Sequence, residues 1–320
     1  MRRTEVANAR VLSVVVTYHP ERSITQALIE TLLEQVDAVH VVDNTPGGCD
    51  WLAGLGEAHQ RSGALRIAQL GENRGIAAAQ NVGLRAALVE GFDYVLLSDQ
   101  DSIPPPAMAE TLVQVARDLS EQGVKVGCVC PQYYDETTAQ TFRFQVNRPG
   151  RLFYSSVDPE PARPVFEIVT TISSGSLLSR DALAEAGLMR EEFFIDHVDT
   201  EWCHRSRWHG FAVYGTSLVR LNHRLGDGRF NVWFFGWRAQ SVYSPVRLYY
   251  RFRNFVLLCR LGHVPMRWKI RAGWYWLGNL YAHLIFGPKR KESALMILKG
   301  IADGLRRRGG PLDVVRGKVS

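Results

Sequence analysis

The chain is poor in cysteine, lacks long apolar runs and has little acid over its last quarter. Its five cysteines, Cys49, Cys128, Cys130, Cys203 and Cys259, are scattered. An odd, dispersed set cannot complete a disulfide framework, and Cys128 and Cys130 have no second pair at zinc-ligand spacing. Reduced thiols in a cytosolic protein are expected. No apolar run reaches about 18 residues, so no transmembrane helix is expected. The nearest stretch, 272–287, contains Asn279 and His283. No apolar segment precedes the first strand-like run, so no signal peptide is expected. Residues 245–320 hold 16 Lys or Arg but only 3 Asp or Glu. That tail carries +13, the body before it −7, and the whole chain +6. A basic tail on an acidic body suggests an anionic partner surface.

What is present is ordinary globular composition, 46% apolar and 22% charged over 320 residues. That excludes a disordered chain and allows one large domain or two smaller ones. Strand and helix signals alternate. The run 11–16 predicts a buried strand. Residues 22–35 predict a helix with Ser23 as a possible N-cap, and 38–42 a second strand. A weak helix at 50–60, a strand at 64–70 and an Ala-rich helix from 75 to 90 follow. Then come a strand at 94–97, a helix to about 121 and a strand at 124–130. Such alternation predicts an α/β fold with a mostly parallel sheet, whose ligands bind beyond the carboxyl ends of the strands. The polar clusters 43–45 and 99–101 each follow an apolar strand, so both are expected on that rim. Residues 131–170 read as irregular with a hairpin-like 142–146, and 180–187 and 199–209 as helices.

Several groups carry chemistry. Asp99-Gln100-Asp101 places two carboxylates on one loop, where hard oxygens suit Mg²⁺ or Mn²⁺ and through it a diphosphate; the plain alternative is a solvated turn. Asp43 suits a base N–H or a ribose hydroxyl, or else an Asx-turn. The stretch 72–83 opens a helix whose amides can face an anion, yet it is neither a Walker loop nor a G-x-G-x-x-G fingerprint. Phe194-Ile195-Asp196-His197-Val198-Asp199-Thr200-Glu201 concentrates three carboxylates and a histidine. One of them suits a general base, or Asp199 or Thr200 caps a helix. His223 follows a strand-like stretch and is either structural or a ligand.

In their order and spacing these residues resemble glycosyltransferase family 2, and within it the bacterial rhamnosyltransferases of rhamnolipid and lipopolysaccharide type. The resemblance rests on Val15-Val16-Thr17-Tyr18, Val42-Asp43-Asn44, Asn73-Arg74-Gly75, Asn81-Val82-Gly83, Asp99-Gln100-Asp101, Ser174-Gly175 and 194–199. It continues through 222–226, 249–254 and 303–306, and so covers about 11–310. It implies a GT-A fold over 1–244, with a nucleotide-binding half to about 130 and an acceptor half after it, and a basic, aromatic helical extension over 245–320. It implies inverting, metal-assisted transfer of L-rhamnose from dTDP-β-L-rhamnose. Thr17, Tyr18, Asp43, Asn73, Arg74, Asp99 and Gln100 would surround the nucleotide sugar, and Asp101 and His223 would hold Mg²⁺ or Mn²⁺. Asp199 would be the general base, with Asp196 the alternative, since Val198 stands where the family has Glu. Ser174, Gly175, Asp196, His197, Glu201 and Trp202 would lie near the acceptor or sugar.

The acceptor expected is a lipid-linked or saccharide hydroxyl of a cell-surface glycan or glycolipid. Aromatic and basic residues at 271–291 suggest an interfacial helix, hence a cytoplasmic enzyme peripheral on the inner face of the membrane. A core-packing tail or a homodimer interface is the alternative. A UDP-hexose donor keeps the fold and changes the sugar. A nucleic-acid-binding protein would use the basic tail but leaves the carboxylate motifs unexplained, so no nucleic-acid partner is expected.

Overall fold

A computed structural model describes residues 9–59, 63–136, 140–148, 150–151, 154–159, 162–223, 228–233 and 235–312. Residues 224–226 of the 222–226 motif lie outside them. The apolar runs form strands buried on both faces, as parallel strands covered by helices must be. β1 (Val11–Thr17) lies between β2 (Ala38–Asp43) and β4 (Tyr94–Asp99), with β3 (Leu65–Gln69) beyond β2, all parallel. The helices α1 (Arg22–Leu33), α2 (Asp50–His59), α3 (Ile76–Val89) and α4 (Met108–Glu121) accompany them.

The second half contains β5 (Val126–Asp135), β6 (Gln140–Thr141), β7 (Phe144–Val146), β8 (Ser155–Val157), β9 (Val165–Glu167), β10 (Leu177–Ser179), α5 (Arg180–Ala186), α6 (Val198–Trp208) and β11 (Ala212–Asn222). The main sheet has the order β3-β2-β1-β4-β10-β5-β11-β9, with β6 on β5. β10 runs antiparallel to both β4 and β5, whereas β5 and β11 are parallel. The chain leaves β1 toward β2 and β3 on one side and leaves β4 toward β5 on the other, so a crevice opens between the carboxyl ends of β1 and β4.

Three local expectations change. Glu21, not Ser23, is the N-cap of α1, and the Ser23 hydroxyl donates to the Glu21 carboxylate at 2.6 Å. The expected hairpin at 142–146 is instead β7 paired with β8 in a separate ribbon. Neither Asp199 nor Thr200 caps α6, because the cap position is His197, whose φ is 66°.

The C-terminal part forms a ribbon of β12 (Arg229–Trp233) and β13 (Trp237–Ser241), followed by α7 (Pro245–Cys259), α8 (Met266–Ile285) and α9 (Arg290–Leu305). Ser244 caps α7 by accepting from the Arg247 amide, and Pro245 occupies the first turn, where its missing N–H costs nothing. α9 approaches α7 closely because Gly300 and Gly304 face it. A Cβ at Gly304 would stand 2.8 Å from the Arg253 carbonyl oxygen. The main apolar core runs on into Leu257, Leu258, Val264 and Trp268, so these helices are continuous with the body. Among the described residues, no helix is long and apolar enough to cross a membrane.

Candidate active site

The crevice is stapled by Gln100. Its amide accepts from the Tyr18 backbone N–H at 2.7 Å and donates to the Tyr18 carbonyl at 3.2 Å, joining the loops after β1 and β4. The residue between the two aspartates therefore fixes where they project. One strand away, Thr17 is in register with Asp43. Asp43 Oδ1 accepts from the Thr17 and Thr45 hydroxyls at 3.0 and 2.7 Å. Asp43 Oδ2 is buried and has no hydrogen-bond partner among the described residues.

A second staple joins β2 to the start of α3. Asn44 donates to Asn73 at 2.9 Å and accepts from the Arg74 amide at 2.8 Å. Gly75, with φ 84°, then packs on Phe194, where a Cβ would lie 2.6 Å from the ring and from the carbonyl oxygen. No other residue fits both conditions. The Arg74 side chain pairs with Glu72 on the surface rather than lining the cleft.

Asp99, Asp101, His223 and Arg247 all line one cleft of about 570 Å³, together with Tyr18, Asn44, Asn73 and Phe194. Burial, then the neighbouring Asp101, raises Asp99 to about 6, while Arg247 and the buried Ser174 hydroxyl temper the rise. His223 is lowered by burial, so it is neutral near pH 7, and its Nδ1 is engaged by Ser102 Oγ at 3.0 Å. The Gly175 amide donates to the Leu97 carbonyl at 2.7 Å, holding the Ser174 turn against β4. A smaller hollow of about 340 Å³ lies at the other end of β4, but its charged groups already face one another, Arg180 toward Asp93 and Lys125 toward Glu185.

The loop before α6 is strained. Phe194, Asp196 and His197 have φ of 62°, 61° and 66°, a region that non-glycine residues avoid. α7 holds it there. The Asn254 amide nitrogen lies 2.7 Å from the carbonyl oxygens of Phe193 and Ile195 and 2.8 Å from that of Asp196. Arg253 donates to the carbonyls of Glu192 and Phe193, both at 3.0 Å. Arg247 and Arg251 both pair with the Asp196 carboxylate at 3.2 Å.

Asp199 sits just beyond, in the first turn of α6. It is not on the cleft lining, but it neighbours Ser173 and Asp196, and Ser173 adjoins the Ser174 that touches Asp99. Burial raises Asp199 to about 6. Hydrogen bonds from Thr200 oppose the rise and the Asp196 charge adds to it. The two loop carboxylates thus differ: Asp196 is neutralised by two guanidiniums, whereas the Asp199 partners are the Thr200 amide and hydroxyl and the Ser173 backbone.

The remaining candidates are engaged elsewhere. Burial, then Arg251, lowers His197 to about 4, and its ring packs against Trp276. Glu201 is fully buried. Burial would raise it, but His263 at 2.9 Å and Arg205 outweigh that and hold it low. Trp202 is buried and donates to the Gly187 carbonyl at 2.9 Å. Both therefore anchor α6 instead of reaching the cleft. Sequence reasoning missed Arg247, and it gave Asn44 and Phe194 no role beyond their motifs. The signal for Arg247 was present in the Arg247–Arg251 pair at helical i,i+4 spacing, which can place both on one carboxylate.

The comparisons match this geometry. A model described as glycosyl transferase family 2 covers residues 13–186. The chain belongs to glycosyltransferase family 2. It is 33% identical over 304 residues to the dTDP-rhamnosyl transferase RfbF of Shigella flexneri, covering 93% of this chain and 96% of that one. The expected kinship with bacterial rhamnosyltransferases is borne out, and the protein is a glycosyltransferase. Among solved structures it is similar to S. aureus TarS 1-349 in complex with UDP-GlcNAc, with TM-score 0.57, 16% identity and coverage of 93% and 81%. It also resembles GalNAc-T7 with UDP, GalNAc and Mn²⁺, with TM-score 0.56, 12% identity and coverage of 93% and 56%. The chain spans 43% of the longer S. aureus TarS structure. At such identities these likenesses concern the fold, which is GT-A.

The clamp on the strained loop yields a prediction. Asn254→Ala removes a donor group shared by three carbonyls, of which only that of Phe193 keeps Arg253, and should lower stability by about 1–3 kcal/mol. Urea unfolding measures this, and an unchanged midpoint would show that the loop holds itself.

Proposed function

We propose that this enzyme transfers L-rhamnose from dTDP-β-L-rhamnose to a hydroxyl of a cell-surface glycan or glycolipid, with inversion, using Asp199 as general base. The donor reading is supported by the identity to a protein named as a dTDP-rhamnosyl transferase. The base reading rests on one observation, the unequal treatment of Asp196 and Asp199. The Asp196 carboxylate is spent on holding the loop through two arginines. The Asp199 carboxyl has no such partner, and burial raises it to about 6, which suits a proton acceptor near neutral pH.

In this reading the base and ribose of the nucleotide lie over Tyr18, Asn44 and Asn73, and the unpartnered Oδ2 of Asp43 supplies an acceptor for a base N–H. Asp99 serves the ribose. Asp199 takes the proton of the acceptor hydroxyl as its oxygen bonds to the anomeric carbon and the bond to dTDP breaks, giving an α-L-rhamnoside. Arg247 offsets the charge gathering on the departing diphosphate. Residues 245–320 are then an extension that supplies Arg247 to the catalytic unit of 1–244 and locks its loop.

A divalent cation fits this site. Among the described residues, no three His, Cys, Asp or Glu gather to hold one alone. Asp101 and neutral His223 offer one oxygen and one nitrogen, leaving most positions to diphosphate and water, as Mg²⁺ prefers and Mn²⁺ accepts. When bound, the ion would act as a Lewis acid on the diphosphate.

Asp199→Asn should cut transfer by about 10²–10⁴-fold while donor affinity stays within a few-fold. Loss of donor binding as well would remove Asp199 from the base role. Below pH about 6 the Asp199 carboxyl holds its proton, so wild-type transfer should fall as pH drops through that value. A flat profile between pH 5 and 7 would contradict the assignment. Arg247→Met should lower kcat by about 10²–10³-fold, with Arg247→Lys partly restoring it. Equal loss in both variants would assign Arg247 to loop support alone.

A further inference from the structure

The outer face of α8 is built the wrong way round for a helix facing water. Met266, Ile270, Trp274, Leu277, Tyr281 and Ile285 are all exposed, and they follow one another at helical spacing along a single stripe. No charged residue interrupts it. The inner face of the same helix buries Asn279 and His283 beside Trp268 and Trp276. A water-facing helix normally shows the reverse pattern.

The β12–β13 ribbon widens this surface. Trp233, Phe235 and Trp237 are 49%, 89% and 70% exposed. The ribbon is fixed beside α8, since the Tyr281 hydroxyl donates to the Trp233 carbonyl at 3.2 Å and Trp237 meets Phe286 edge to face. Scattered apolar side chains on a surface need no explanation, but a continuous apolar face does. At the C-terminal end of the stripe stand Lys289, Arg290 and Lys291, all exposed.

We propose that the α8 stripe and the β12–β13 tip form one docking surface for an anionic phospholipid bilayer. Exposed Trp and Tyr suit the headgroup zone, aliphatic side chains the acyl boundary, and a flanking cationic cluster the anionic lipid. A second copy of the chain is the weaker occupant, because a two-fold contact through this face sets the cationic cluster either against its own copy or against the basic first turns of the other α8, where Arg267, Lys269 and Arg271 stand. The placement matters for the reaction. The ribbon is the segment between His223 and Arg247, which both line the donor cleft. Docking would therefore hold the cleft beside the bilayer that carries the acceptor. That last step rests on the reading of the acceptor as a membrane glycolipid.

The test is co-sedimentation of the full chain with vesicles of phosphatidylcholine, with and without phosphatidylglycerol. Binding is expected only to the anionic vesicles and should weaken with salt. Trp274→Ser combined with Leu277→Ser, and separately Trp233→Ala combined with Trp237→Ala, should each weaken it by about tenfold. Titration with dTDP serves as the control for folding, and its affinity should be unchanged in both variants. Failure of the wild type to sediment, or equal sedimentation by the variants, overturns the proposal. So does a wild-type dimer that the variants dissolve, since the surface would then belong to a second copy. A chain that binds vesicles but no nucleotide would upset the functional reading and leave this surface standing.

Discussion

The structure turns on the contact between α7 and the loop before α6. Three residues in the left-handed region within four positions cost on the order of 1–3 kcal/mol each, and such a loop persists only if its surroundings over-determine it. Asn254 and Arg253 do so by donating to the carbonyls of Glu192, Phe193, Ile195 and Asp196, and Arg247 and Arg251 do so by gripping Asp196. The strain places Phe194 against Gly75 at one edge of the cleft and starts α6 at Val198, which sets the position of Asp199. A C-terminal helix thereby positions the loop that carries Asp196 and the first turn of α6.

The same contact separates two carboxylates that look equivalent in sequence. Fixed guanidiniums keep one as an anchor, and burial raises the other to about 6. A parallel division operates at the strand ends. Gln100 and the Asn44–Asn73 pair are spent on joining loops, which leaves Asp99 and Asp101 on the cleft lining and Asp43 buried behind it. Rigid polar staples around a few uncommitted acceptors are what a preorganised electrostatic site requires.

Much of this was legible in sequence because it is local. Buried β-branched runs gave the parallel strands, and polar clusters directly after them gave the rim. Family resemblance supplied the roles. What sequence could not show depends on distant contacts. Glu201 and Trp202 stand in a dense acidic motif, yet their partners are Arg205, His263 and the Gly187 carbonyl, so they are core anchors. Arg247 lies 51 residues after Asp196, and only the fold of α7 onto the loop brings them together. The basic tail read as a surface feature is half buried structure, with Arg253 fully enclosed.

The proposed cleft for a dTDP-sugar with a divalent cation is tested most directly by calorimetric titration of the full chain with dTDP and with UDP, each in Mg²⁺ and in chelator. Tighter binding of dTDP is expected, weakened by chelator, with that metal dependence absent in Asp101→Ala. Tighter binding of UDP, or dTDP binding that is indifferent to chelator, would contradict it.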